Sequence, residues 1–346
     1  MARIRAALLL AALPATLLAG EATQAPAYHA VARYEIGGTD RGYDYLRVDS
    51  ASRRLFIAHG SRVEVLNADT GAPLGQVPDI GGVHGIEIVP ALHAAFASGG
   101  ANREVIAFDP ETLHVTKRIK YLGEKPDALQ YDPASGLLFV VNGGKTGDIS
   151  VIDPANGAIV DTVELSGGKL EEIALDGQGR GFVNDEEQGV IHVFDTKSRK
   201  RVASWPLAPA QEPTGLAIDR AHHRLFAACG NRLLAILDAD SGKLISTVAI
   251  GPDPDGAAFD PKSGHIFTSN RDGTMTVVGE VSPGNYAALQ TVKTASGART
   301  IALDERTGRL FLPSGLFGAP PAPTPAVPEP RAPLIPESFA IIVVAQ

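Results

Sequence analysis

Seven residues occupy one register of the sequence and carry most of its chemical promise. Asp44, His84, Asp127, Glu171, Thr214, Asp255 and Arg299 each stand five places ahead of a turn residue, namely Asp49, Val89, Asp132, Asp176, Asp219, Asp260 and Asp304. If a fold gathered them, four carboxylates would repel one another unless a cation, Arg299 or protonation compensated. An oxygen-rich set of that kind suits Ca²⁺, Mg²⁺ or Mn²⁺. His59 and His84 with the carboxylate of Asp44 would instead suit Zn²⁺, Cu²⁺ or Fe²⁺. A divalent metal ion is thus the one cofactor the residues suggest. A plainer reading stands beside it: each acid caps its own turn through backbone N–H groups, and each histidine is a hydrogen-bonded structural residue. A second polar set, Arg47, Glu87 and Gln130, also shares one register, and reads either as an ion pair and hydrogen bonds between neighbouring units or as a channel lining.

What would gather these residues is a repeat. Aligned on one phenylalanine, the copies place Phe56, Phe96, Phe139, Phe182, Phe226, Phe267 and Phe311 at spacings of 40 to 44 residues. In six copies the phenylalanine follows the turn residue by seven places; in the fourth, from Asp176 to Phe182, by six. The stretch from Lys125 to Leu165 shows the parts of a copy. A short inner strand ends at Asp132-Pro-Ala-Ser-Gly136, a second strand runs to Asn142, a third meets Asp153-Pro-Ala-Asn-Gly157, and a fourth leads onward. Asp, Pro and Gly in those places suit tight reversals. A four-stranded unit recurring at this period is the signature of a propeller blade, so the fold expected is all-β, a seven-bladed β-propeller of antiparallel blades.

Side chains alternate between the two faces of a strand. Along the inner strands large apolar residues (Leu46, Ile86, Leu129, Ile173, Leu216, Ile301) alternate with small ones (Gly85, Ala128, Gly215, Gly256), which lets wedge-shaped sheets pack around an axis. The seventh copy lacks a fourth strand. The strand-like residues 30–37 are predicted to supply it by pairing with 339–344, closing the ring. Residues 318–336 are proline-dense and are expected to form an extended excursion within the last blade, packed over the disc or serving as a docking segment.

Composition bounds the rest. Apolar residues make up 44% and charged residues 20%, and the net charge is −8, without the basic stripe of a nucleic-acid binder. One cysteine, Cys229, excludes an intrachain disulfide and a multi-thiolate metal site. Arg3 and Arg5, an apolar run over 6–19 and Ala25-Pro26-Ala27 read as a signal peptide over 1–27, leaving a single domain over 28–346, periplasmic or secreted, without a membrane span and monomeric. Gly143-Gly144-Lys145-Thr146 imitates the end of a phosphate loop, but Phe139 stands where that loop needs glycine. His222 and His223 fall in a first turn, at the end away from the acidic register.

The stretch VVNGGKTGDISVID at Val140–Asp153, with looser versions at Ala235–Gly242 and Val193–Thr196, resembles the YVTN repeat of YncE-like bacterial propellers. The resemblance spans 43–315 and implies a fold and an exported compartment rather than a reaction. In propellers the inner-strand starts and second-strand ends meet at the channel mouth. That places Asp44, His59, His84, Asp127, Glu171, Asp255 and Arg299 at one face. The expected function is binding, or scaffolding, of a small molecule or protein at that face. The alternative is a metal-dependent propeller hydrolase or lactonase with the cation at the mouth.

Overall fold

The computed structural model describes residues 27–38, 42–120, 123–145, 147–324, 328, 330 and 332–346. The proposed signal peptide lies outside them except for Ala27. Seven four-stranded antiparallel sheets follow one another around a ring, and helix among the described residues is confined to the single turn Pro90–Leu92. That turn replaces the Asp cap in the one copy that has Val89 at the turn position. Elsewhere the first turn is set by its aspartate. In the third blade Asp132 accepts from the N–H groups of Ala134 and Ser135, and Gly136 closes the reversal at φ +73°, a conformation that favours glycine.

Each blade runs from an inner strand outward. The inner strands are Tyr43–Asp49, Val83–Val89, Pro126–Asp132, Leu170–Leu175, Pro213–Asp219, Pro254–Asp260 and the short Ala302–Asp304. The repeat phenylalanines lie on the second strands and are almost fully buried, at most 1% exposed. Each packs where one blade meets a neighbour, so the core is a ring of inter-blade layers rather than one central mass. Burying a phenylalanine is worth roughly 1.5–3 kcal/mol, and seven equivalent ones make the ring's closure strongly favourable. Polar groups stitch the inner ends of the blades. Ser98 donates to the carbonyl of Asp127, Asn184 to those of Thr214 and Gly215, Thr214 to that of Pro254, and Thr300 to that of Asp44.

The termini close the ring as the sequence predicts. His29–Glu35 pairs antiparallel with Ala340–Ala345, which pairs with Arg309–Ser314 and through it with Ala302–Asp304. Tyr28 reinforces the clasp: it is buried against Phe267 and His265 on the neighbouring blade, and its backbone N–H donates to Gln290 at 3.0 Å. The proline-rich excursion leaves from the last blade between its second and third strands, and Phe317 and Leu334 join in a bridge at its root.

Candidate functional site

A recurring irregularity aims side chains at the axis. In the first blade Tyr43 pairs with His59 and the next pair is Leu46 with Ile57, so Asp44 and Tyr45 oppose one residue. The same shift falls at His84-Gly85, Asp127-Ala128 and Glu171-Glu172, and at Thr214 and Asp255 in the next two blades. Such a β-bulge releases its extra residue from the ladder and redirects the side chain. Six of the seven inner strands therefore present one freed residue each at the same end.

The freed residues meet. His84 Nδ1 lies 2.6 Å from Asp44 Oδ2 and 3.7 Å from Asp127 Oδ1, and ligand-competent atoms of these three residues all fall within 4.8 Å of one another. Basic groups hold the outer oxygens: Lys125 Nζ is 3.3 Å from Asp127 Oδ2, and Arg299 Nη2 is 3.7 Å from Asp44 Oδ1. Arg299 also pairs with Asp255 and donates to the carbonyl of Tyr43 at 3.2 Å. Glu171 pairs with Lys169 at 2.7 Å, and Lys169 reaches on to Glu186. The mouth acids are thus partnered by side chains rather than acting as turn caps; capping belongs to the turn aspartates such as Asp49, Asp219 and Asp260.

Crowding splits the acids into two kinds. Burial, and then the like charges of Asp127 and Asp255, push Glu171 up to about 9 despite Lys169. Burial also raises Asp255, with Arg299 opposing and Asp44 adding to the rise. For Asp44 burial again pulls upward, but the His84 hydrogen bond and the Arg299 charge outweigh it, and its carboxyl sits below the ordinary range. His84 is the counterpart: burial disfavours its charge, yet Asp127 and Asp44 together raise it above the ordinary imidazole value. The mouth therefore gathers acids of unlike acidity, with Glu171 raised and Asp44 lowered from the ordinary carboxyl range, among several basic side chains.

Beneath the mouth the axis holds a cavity of about 210 Å³ lined by Tyr45, Arg47, Gln130, Glu172 and apolar inner-strand residues. Burial, and then the negative charge of Glu172 across the axis, raise the Tyr45 phenol well above its usual value. Burial pushes Glu172 up to about 8 although Leu216 N–H donates to it at 2.7 Å. Arg47 pairs with Glu87, Glu87 accepts from Tyr131 N–H, and Gln130 accepts from Leu175 N–H. Both readings of that polar set hold together, since it ties neighbouring blades and Arg47 and Gln130 also line the cavity.

His59 is not in the cluster. It sits on a regular second strand, fully buried, with its ring 4.1 Å from that of Phe339 and Nδ1 3.4 Å from Glu64. The expected grouping of His59 with His84 and Asp44 gives way to Asp44, His84 and Asp127, because at the mouth the extra residue falls on the inner strand and the second strand that carries His59 stays regular. The other second-strand ends are likewise buried in their blades. Asn142 donates to Ser150, Asp185 accepts from His192, and Asn270 donates to Thr276. Lys125, Lys169 and Tyr45 were not legible as site residues. The one signal for the lysines is their common place two residues ahead of Asp127 and Glu171.

Over 241 aligned residues the chain is 22% identical to the uncharacterized protein YncE of Salmonella typhimurium strain LT2, covering 66% of this chain and 67% of the relative. Its counterpart in Salmonella typhi matches to the same extent. The seven blades and the repeat stretch agree with that similarity. The chain fits a YncE-like repeat family. No family model matches it. The names of both relatives assign no activity. Among the described residues no helix is long and apolar enough to cross a membrane.

Proposed function

We propose that this chain is an exported propeller module that binds a small, charged ligand at the mouth. The observation that carries the reading is the bulge at the start of six inner strands, which delivers Asp44, His84, Asp127, Glu171 and Asp255 to one place from five separate blades. A bulge repeated for architecture alone has no need of charged residues; Thr214 shows that a small neutral one fits. The mixture of acids with Lys125, Lys169 and Arg299 favours a ligand bearing an ammonium group or metal charge together with an acceptor for the rim cations. Export is supported by the leader-like residues 1–27. It fits the anchoring of Tyr28, the first residue after the proposed cut, which is already held by Gln290. The protein is proposed to act as a monomer.

The test is a thermal-shift and calorimetry screen of the purified chain against amino acids, putrescine, spermidine and sugar acids. The comparison protein carries both Arg299→Gln and Asp255→Asn. A binder at 100 times its Kd stabilises by about 2.7 kcal/mol. The reading requires at least one compound that shifts the wild type and not the double variant. Compounds that stabilise both proteins equally, or none that binds at millimolar concentration, would refute it. N-terminal mass spectrometry of the periplasmic fraction tests export, with Tyr28 as the expected first residue.

A further inference from the structure

We propose that Asp44, His84 and Asp127 form a site for one divalent transition ion, of the Zn²⁺ or Mn²⁺ kind. The inference rests on the mouth being a binding face and names what that face holds.

Three observations carry it beyond a mere gathering of acids. First, the donor set is mixed. One imidazole nitrogen and two carboxylate oxygens come from three different blades, with mutual distances inside 4.8 Å, a span that a single ion can bridge. An imidazole ligand favours zinc, iron or manganese over calcium, which prefers an all-oxygen shell.

Second, the two carboxylates are divided in the same sense. The oxygens nearer the imidazole are Asp44 Oδ2 and Asp127 Oδ1, while the opposite oxygens, Asp44 Oδ1 and Asp127 Oδ2, are held by Arg299 and Lys125. Outer partners that fix the orientation of ligating groups are the usual support of a metal centre.

Third, the imidazole has a cradle. A Cβ on Gly100 would lie 2.8 Å from His84 Cδ2 and Nε2, so any larger residue at 100 would push the ring out of line. Gly100 is outside the left-handed region of backbone space, so turn geometry is no explanation for glycine there.

The ion would replace the proton that His84 Nδ1 shares with Asp44. That proton passes to solvent, and Nε2 keeps the remaining one. Three protein donors leave further coordination positions open toward the mouth, where a ligand oxygen or water completes the shell.

The experiment is calorimetric titration of ZnCl₂ and MnCl₂ into chelator-stripped full-length protein, with anomalous scattering from crystals soaked in the same ions. One ion per chain is expected at the triad. His84→Ala and Asp127→Asn should each weaken it at least 100-fold, and Gly100→Ala, which moves the ring without removing a ligand, at least 10-fold. His59→Ala and His222→Ala should leave it unchanged, and circular dichroism confirms that each variant is folded. Binding that survives His84→Ala, anomalous density elsewhere, or no ion taken up at 1 mM would overturn the site. The organic screen separates this from the broader reading. If no ion binds but an organic probe is lost in the Arg299/Asp255 double variant, the metal site falls and the binding face stands; if neither binds, both fall.

Discussion

Replacing Phe339 by alanine is the sharpest test of how the ring is held shut. Phe339 is fully buried and lies directly before the strand Ala340–Ala345, which joins the first strand of the chain to the last blade. Its ring stacks on Tyr43 at 5.0 Å and packs on His59 at 4.1 Å, and its carbonyl accepts from the N–H groups of Ile36 and Gly37. Removing a buried phenylalanine side chain costs about 3–5 kcal/mol where the surroundings cannot collapse. Tyr43 and His59 belong to the neighbouring blade and are pinned by Gly297 and Glu64, so little collapse is available. The expected loss is therefore about 4 kcal/mol, a large share of the 5–15 kcal/mol typical of a domain. Urea unfolding followed by tryptophan fluorescence measures it, since Trp205 lies in the distant fourth blade and reports on cooperative loss of the whole ring. Val202→Ala, on an exposed outer strand, serves as the control and should change stability by less than about 0.5 kcal/mol. A Phe339→Ala loss below 1 kcal/mol would mean that closure does not depend on this joint, and the clasp account would be wrong.

Other perturbations follow from the same contacts. Glu172 has a raised folded pKa, so its contribution is fully present below the unfolded carboxyl value and is lost as pH rises through about 8; Glu172→Gln should flatten the fall in melting temperature between pH 6 and pH 9, and an unchanged slope would exclude burial of that carboxyl. Arg299→Met leaves Asp255 without its cation and should cost about 1–3 kcal/mol, with partial recovery in Arg299→Met/Asp255→Asn, measured by denaturant unfolding. Because His59 Nε2 has no hydrogen-bond partner among the described residues, and Glu64 keeps Arg62 when the 3.4 Å contact to Nδ1 is lost, His59→Phe should change stability by no more than about 1 kcal/mol in the same assay. Asp185→Ala removes the acceptor for His192 and for the N–H groups of Gly168 and Gln188, and should cost about 3 kcal/mol.

The architecture was legible because a propeller writes itself seven times. The phenylalanine spacing, the Asp-capped turns and the missing fourth strand of the last copy each had one physical meaning, and the structure bears them out. The site was legible only by register. Asp44, His84, Asp127 and Asp255 could be grouped because they hold one place in the repeat, but the bulge that turns them inward leaves no residue signature beyond a one-residue offset in pairing. His59 does not share that bulge. Its sequence position resembles a mouth position, yet a regular strand directs it between blades. Lys125 and Lys169 carry no sequence signal of their own because a lysine on a loop is ordinarily solvated, and their partners, Asp127 for the first and Glu171 with Glu186 for the second, are brought to them only by the fold.

A residue released from the ladder makes no cross-strand pair, so the sheet alone does not dictate its identity. Around this ring the freed residues read acid, imidazole, acid, acid, hydroxyl, acid, with Arg299 completing the circle. Because Arg299 pairs with Asp255, and His84 with Asp44 and Asp127, these letters on a fixed frame are coupled to their neighbours. Exchanging coupled neighbours together is expected to change the charge the mouth presents while the frame that carries them stays intact.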